Sequence, residues 1–293
     1  MPTHGADPDR WTIGQLLTWT TNYLKSKGCE SPRLDAEVLL ASVLKYPRVQ
    51  LYVCFDAIIS DQARAAFRDL VKQRAAGAPV AYLVGRKEFY SLPLRVSPAV
   101  LIPRPDTETL VVEFLNLYKS KAKVRGLDIG TGSGAIALAC VSQHPGAHFI
   151  ATDISAEALA IARENAAQLN LAQRVDFRQG ASLDPVLDEP PFDVIISNPP
   201  YIPTADIPAL EPGVRDYEPR LALDGGPDGL DIVRAIIAKA EQHLTPRGSL
   251  LLEIGTAQEE PIRSLIQQHT SLVLAPTVRD AANHPRVIRA HKS

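Results

Sequence analysis

The sequence predicts a doubly wound α/β domain carrying a small helical domain at its amino end. Three observations predict it. Helical periodicity runs from Trp11 to about Ala76, and strands and helices alternate from about Asp106 onward. A glycine-rich turn at Gly130–Gly134 then leaves the first strand of the alternating region and opens a helix. At 293 residues the chain suits one large domain or two ordinary ones.

In chain order, Ile13, Leu16, Leu17 and Thr20 share one helical face, and Leu34, Val38, Leu39 and Leu40 make the next apolar group. Ala63, Phe67, Leu70 and Val71 recur at the same spacing, behind Ser60-Asp61 as an N-cap. Gly28, Pro32, Pro47 and Gly77 are the breaks, so residues 1–78 read as a helical domain. Residues 79–105 alternate apolar and polar, turn at Ser91 and Pro93 and leave through prolines, which reads as a β-hairpin linker. Residues 106–293 form the body. Its helices are expected at about 106–118, 134–142, 156–169, 230–243 and 259–268. Its strands are expected at about 124–129, 148–152, 175–178, 193–197, 249–254, 272–276 and 286–289. Such alternation implies a mostly parallel sheet with helices on both faces. The last two strands have no helical crossover between them, so one runs antiparallel.

Hydrophobic residues at 45% and charged residues at 22% are those of a soluble globular protein with a proper core. Lys plus Arg is 31 against 33 Asp plus Glu, which gives no global electrostatic case for a nucleic-acid partner. No run approaches the ~18 apolar residues of a membrane span. The opening MPTHGADPDRW has the look of neither a signal peptide nor a transit segment. Cys29, Cys54 and Cys140 are scattered and odd in number, so neither a zinc site nor a disulfide framework is expected. A reduced, cytoplasmic compartment is the expectation. The seven histidines show no ligand spacing, and no metal is expected.

In Asp128-Ile129-Gly130-Thr131-Gly132-Ser133-Gly134 the glycines let a backbone turn sharply and approach a ligand, while the helix start supplies free N–H groups. The G-x-G-x-G spacing misses the G-x-G-x-x-G of dinucleotide sites. Asp128 would repel a pyrophosphate but suits an ammonium or sulfonium cation, and S-adenosylmethionine carries both. Asp153, ending the next strand, is placed to accept hydrogen bonds from ribose hydroxyls, with Ser155 as the better cap of the following helix.

The strand ending at Ser197 runs into Asn198-Pro199-Pro200-Tyr201. Two prolines remove two backbone donors and fix φ, so nearby carbonyls face outward, and an Asn side chain adds an acceptor and donors. An –NH₂ group fits between the Asn198 oxygen and the Pro199 carbonyl, with Tyr201 against its flat surface. A plain Pro-rich turn is the alternative. Arg104-Pro105-Asp106-Thr107-Glu108 reads equally as a helix start or as one wall of a cofactor pocket. Asp224-Gly225-Gly226-Pro227-Asp228-Gly229 reads as a flexible connection or a moving lid.

LDIGTGSGAIALA, ATDIS and ISNPPYI together resemble the amino-group methyltransferases that use S-adenosylmethionine. SPRLDAEVLLASVL, GAPVAYLVGRKEFYSLPLRVSPAVLIPRPDTETLVV and VRDYEPRLALDGGPDGLDIVRAII narrow the resemblance to the glutamine-N5 methyltransferases of peptide-chain release factors, the PrmC/HemK family. It covers nearly the whole chain, from about Ile13. The resemblance implies a Rossmann-like methyltransferase sheet, with Gly130, Thr131, Gly132, Ser133 and Gly134 as cofactor loop and Asp153 on the ribose. It implies that Asn198 touches both cofactor and substrate, and that Asn198, Pro199, Pro200 and Tyr201 hold and activate the glutamine amide. It also implies a release factor as protein partner. The helical domain is the second surface available to grip that partner, because a lone glutamine offers too little contact for discrimination; no direct nucleic-acid or membrane binding is expected, and a monomer is expected. The chain departs from the family at Ala181, where an acid commonly meets the adenine amino group, and at Asp106, where Glu is more usual. Adenine recognition then falls to backbone groups or Ser182. No strong base is evident near the motif. Rival readings are a ribosomal-protein glutamine methyltransferase, a nucleic-acid amino-group methyltransferase and a non-catalytic module on a methyltransferase scaffold.

Overall fold

Helix α1 (Ile13–Ser26) opens on a reciprocal cap: Gln15 N donates to the Thr12 hydroxyl, and Thr12 N donates to Gln15 Oε1. Its buried stripe, Ile13, Leu16, Leu17, Thr20 and Leu24, packs against Leu39 and Leu40 of α2 (Pro32–Leu44). Short α3 (Arg48–Val53) follows Pro47, and α4 (Asp61–Ala75) starts at Ser60, whose hydroxyl accepts from Ala63 N. Helix α5 (Val80–Val84) ends at Gly85, in the left-handed conformation. The structure is a computed structural model that describes residues 10–280 and 282–293; His4 and most of the amino-terminal leader reading lie outside them.

The chain divides into two units between Gly85 and Arg86. Residues 80–84, read as the start of a hairpin, are thus helical and belong to the first unit. The hairpin itself, β1 (Arg86–Phe89) and β2 (Leu92–Arg95), belongs to the second. It turns through Tyr90 and Ser91, both at positive φ. It is no mere linker, because Phe89 and Leu94 are fully buried in the same core as Phe114 and Phe149. Each such side chain contributes about 1.5–3 kcal/mol by burial.

The second unit continues through α6 (Glu108–Tyr118), β3 (Val124–Ile129), α7 (Ala135–Gln143), β4 (Ala147–Asp153), α8 (Ala156–Gln168), β5 (Val175–Gln179) and β6 (Phe192–Ser197). One turn, α9 (Pro212–Arg215), interrupts a long loop. Helix α10 (Asp231–His243), β7 (Leu244–Glu253), α11 (Glu259–Gln267), β8 (Leu272–Leu274), β9 (Val278–Arg279) and β10 (Pro285–Lys292) complete it. Along the sheet the order is β5-β4-β3-β6-β7-β10-β8, with β9 also paired to β10. Strands β3 to β7 are parallel, and β10 runs antiparallel to β7 and β8, as expected of a closing pair without a crossover. Alternate residues enter opposite cores: Val194 and Ile196 lie with α6 and α7, while Ile195 lies with α10 and α11. Both faces are covered, so the sheet is doubly wound.

In the helical unit Glu37 is almost fully buried among cations. Its oxygens meet Arg33 Nε at 2.7 Å and Arg48 Nη2 at 3.2 Å, and the Tyr52 hydroxyl also donates to it. Burial alone would raise this carboxyl, but Tyr52 and the two arginines outweigh it and hold the pKa below its usual value. A depressed carboxyl stabilises the fold above its unfolded pKa, and the stabilisation is lost as pH falls through the folded one. Glu37→Gln is expected to cost about 1–2 kcal/mol at neutral pH, because the arginine partners are half-exposed. The gap to the parent should close as pH falls below the usual carboxylate range, as measured by thermal unfolding at both pH values.

Candidate active site at the carboxyl edge of the sheet

Strand order reverses between β3 and β6, where a doubly wound sheet opens a crevice at its carboxyl edge. Ile129 and Ser197 face each other at the last register position, and the Ser197 hydroxyl donates to Ile129 O at 2.7 Å. The two motifs therefore leave the sheet side by side, Gly130 from one strand and Asn198 from the other.

The glycine loop takes positive φ at Gly130, Gly132 and Gly134, near +70°, +55° and +82°. Their roles differ. A Cβ at Gly130 or Gly132 would meet nothing within 4 Å, so open space lies over them. At Gly134 a Cβ would press on Leu138 at 3.0 Å and Ala162 at 3.3 Å, so this glycine serves close packing. Thr131 and Ser133 are buried, and the Thr131 hydroxyl donates to Asp128 Oδ2 at 2.6 Å. These two residues offer the crevice little but backbone.

Asp128 is enclosed rather than presented to a cationic ligand, contrary to its sequence reading. Its Oδ2 accepts from Thr131 and, at 3.2 Å, from Ala137 N, while Oδ1 is buried without a partner. Burial pushes the carboxyl up to about 6, against the pull of those two donors. Asp128 thus shapes the loop from beneath. Asp153 is half-buried: Oδ2 accepts from Gly132 N and Oδ1 from Ser155 N, both at 2.9 Å. Burial raises its pKa too. Ser155 caps α8 through Ala158 N, as anticipated, so Asp153 is not spent as the cap of that helix. A residue without a sequence signal completes the support. Asn165, fully buried on α8, donates to Ser133 O at 2.9 Å and to Arg95 O at 3.1 Å, and accepts from Arg95 N at 2.7 Å. At the far side Ala181 is exposed, and the Ser182 hydroxyl is buried with no partner. Open space over two glycines, a half-buried acid and an unsatisfied hydroxyl fit an adenosine-type cofactor.

Asn198 is half-buried, and its Nδ2 donates to the Thr107 hydroxyl at 3.1 Å. Segment 104–108 is therefore a helix start that also reaches the Asn-Pro-Pro-Tyr turn through Thr107. Pro105–Thr107 make a single 3₁₀ turn, yet each polar side chain reaches far along the chain. Arg104 pairs with buried Glu218 at 2.6 Å, Asp106 with Arg286 at 3.0 Å, and Glu108 accepts from Tyr90 N at 2.9 Å. The Tyr201 ring lies against Gly255, 3.5 Å from where a Cβ would stand, and burial next to Glu253 raises its phenol pKa.

Segment 224–229 is closely packed. A Cβ on Gly225 would fall 2.7 Å from Pro200 O, and one on Gly229 would fall 2.4 Å from Tyr201 O. Gly225 N donates to Ile202 O, and Gln258 Nε2 bridges Tyr201 O and Gly229 O. Glycines are needed here because this segment packs directly behind the Asn-Pro-Pro-Tyr turn. Glu253, the last residue of β7, is the other member that sequence reading missed: burial pushes its carboxyl up to about 7. LLLEIG reads as an ordinary strand end, and only the fold sets it beside Asn198.

Residues 15–85 match the family model of the PrmC N-terminal domain, and residues 106–208 that of the methyltransferase small domain. A release factor glutamine methyltransferase from Geobacter sulfurreducens is 44% identical over 281 residues, 96% of this chain and 97% of the relative. A methyltransferase structure from Pyrococcus furiosus, 19% identical, shares the fold with a TM-score of 0.52 over 77% of this chain and 96% of its own. One from Rhodopirellula baltica, again a release factor glutamine methyltransferase, is 42% identical over 287 residues, 97% of each chain. Identity at that level, sustained through both units, places this chain in the family of release factor glutamine methyltransferases.

Proposed function

We propose that this enzyme transfers the methyl group of S-adenosylmethionine to the side-chain amide nitrogen, N5, of the glutamine in the Gly-Gly-Gln loop of a peptide-chain release factor. The observation that carries this reading is the Asn198 side chain. Its NH₂ end is turned inward onto Thr107, so its Oδ1 is the end left to accept a hydrogen bond from a substrate amide.

A bound S-adenosylmethionine supplies an electrophilic methyl on a sulfonium. The chain's own residues do the rest. Gly130 and Gly132 keep side chains out of the space over the loop, and Asp153 offers its carboxylate to ribose hydroxyls. Ser182 is the polar side chain left for the adenine edge. A primary amide nitrogen is a weak nucleophile because its lone pair is delocalised. Asn198 Oδ1 and the Pro199 carbonyl each accept one of its N–H bonds, which directs the lone pair out of the pocket and favours pyramidalisation. Pro200 shapes the turn, and Tyr201 closes the pocket on the side of β7. Such orientation contributes up to ~7–11 kcal/mol in well-aligned reactions. The nitrogen gives up its proton to water once the N–C bond has formed, and preorganised dipoles, not a nucleophilic side chain, lower the barrier.

The helical unit is read as the surface that grips the body of the release factor. Val49 and Val53 on α3 are exposed, beside exposed Tyr52 and Ile58. So much apolar surface on one small unit is characteristic of a protein interface.

Three measurements test this reading. By calorimetry the protein binds S-adenosylmethionine or S-adenosylhomocysteine, and Asp153→Ala weakens that binding by about 1–3 kcal/mol; a protein that binds neither cofactor defeats the reading. Asn198→Ala lowers turnover on release factor by about two orders of magnitude or more with unchanged circular dichroism, the scale of a lost transition-state donor or acceptor. Near-normal turnover removes Asn198 from the mechanism. Val49→Asp combined with Val53→Asp raises the KM for whole release factor and leaves cofactor affinity alone. An unchanged KM shows that α3 is not the docking surface.

A further inference from the structure

Glu253 is a buried carboxyl that the mechanism above does not use. The register sets it there: Ser197 pairs with Leu252, so the next residues, Asn198 and Glu253, leave neighbouring strands together. It is 2% exposed, and its Oε2 has no hydrogen-bond partner. The groups that face it come from three segments. Thr107 and Asp106 lie in the turn before α6, Asn198 and Tyr201 follow β6, and Arg286 lies on β10. Arg286 is itself held by Asp280 at 2.9 Å and by Asp106 at 3.0 Å, so its charge is shared among three acids. The Thr107 hydroxyl and the Asn198 amide act on the Glu253 carboxyl as donors.

We propose that Glu253 is a positioning residue which, directly and through Thr107, decides which end of the Asn198 amide faces the substrate. The inference deepens the reading of Asn198 as the amide-binding residue and rests on it. Hydrogen-bond direction supplies the logic. An ionised carboxylate can only accept, so the Thr107 proton goes to Glu253. Thr107 then has only lone pairs to offer Asn198, which must turn its NH₂ inward, as observed at 3.1 Å. Oδ1 is thereby left for the substrate. When Glu253 holds a proton it becomes a donor, Thr107 is free to donate to either partner, and the inward preference of the NH₂ end disappears. A flipped Asn198 presents N–H groups to the substrate's own N–H groups and cannot bind it productively. Enclosure keeps Glu253 off the substrate, so it is no general base. Since burial pushes this carboxyl up to about 7, the switch falls in the neutral range.

Two readouts test the proposal. In parent enzyme, kcat on release factor should rise with pH through a midpoint of about 7, the value set by Glu253, with KM little changed. Glu253→Gln, a mimic of the protonated form, should lose that step and run about tenfold slower at high pH, the worth of one hydrogen-bond preference. Glu253→Asp should restore a step. If Glu253→Gln keeps the parent's step or its kcat, the proposal fails. Nitrogen-15 NMR of the parent protein needs neither variant nor turnover. The Asn198 side-chain NH₂ signal, assigned by its absence in Asn198→Ala, should move with a midpoint of about 7 and move less in Thr107→Val, which keeps only the direct coupling. A signal indifferent to pH overturns the proposal even if release factor is methylated. A titrating signal without methylation upholds the coupling and condemns only the assigned reaction.

Discussion

The site depends on one strand pairing, that of β3 with β6. Both strands run parallel, but the chain arrives at them from opposite sides of the sheet, so the loops that follow must part. A serine hydroxyl on the neighbouring carbonyl, Ser197 on Ile129, ties the two strands at the last position before they do. Beyond that point the two segments no longer pair with each other, although Gly130 N and Thr131 N still donate to Thr152 O at the end of β4. The glycine loop solves the problem with Asp128 below, Asp153 beside and Asn165 behind. The Asn-Pro-Pro-Tyr turn solves it with two residues that lack an N–H, and with a glycine-rich segment packed against its carbonyls.

This support comes at an electrostatic cost carried by buried carboxyls, among them Glu218 beside Arg104 and three that lie closer to the two turns. Asp128, Asp153 and Glu253 are all raised above their usual pKa, each chiefly by burial. Their linkage to stability has the opposite sign to that of Glu37 in the helical unit. A raised carboxyl contributes below its unfolded pKa, and the contribution is lost as pH rises through the folded value. For Asp128 and Glu253 those values are about 6 and about 7. The helical unit is therefore strongest where its acid is charged, and the catalytic edge where its acids are neutral.

Much of this was legible in the residues, and the exceptions share a cause. The parallel sheet, the closing antiparallel strand, the glycine loop and the cap at Ser155 follow from local periodicity and local chemistry. Sequence marked Asp128 as important but assigned it outward, because strand alternation does not reveal that Thr131 and Ala137 turn back over it. It marked the glycines at 225, 226 and 229 as freedom, which Gly226 and Gly229 use at positive φ, but it did not reveal that Gly225 and Gly229 also stand close against the Asn-Pro-Pro-Tyr turn. Glu253 and Asn165 carried no signal at all, and Thr107 stood out only as part of the segment 104–108. Each acts across a gap of 30 residues or more, Thr107 on Asn198 and Asn165 on Ser133 among them, and only the assembled sheet closes that gap. The hairpin was legible as a hairpin, but that it belongs to the second unit depends on where Phe89 and Leu94 find a core.

The central claim is that this edge orients a glutamine amide for methylation. Incubation of the full chain with release factor and isotopically labelled S-adenosylmethionine, followed by peptide mapping, tests it most directly. The account predicts one labelled methyl on the side-chain nitrogen of the glutamine in the Gly-Gly-Gln loop, and none when that glutamine is replaced by alanine. Label on another residue of the release factor, or none on the factor under conditions where the cofactor is bound, would contradict it.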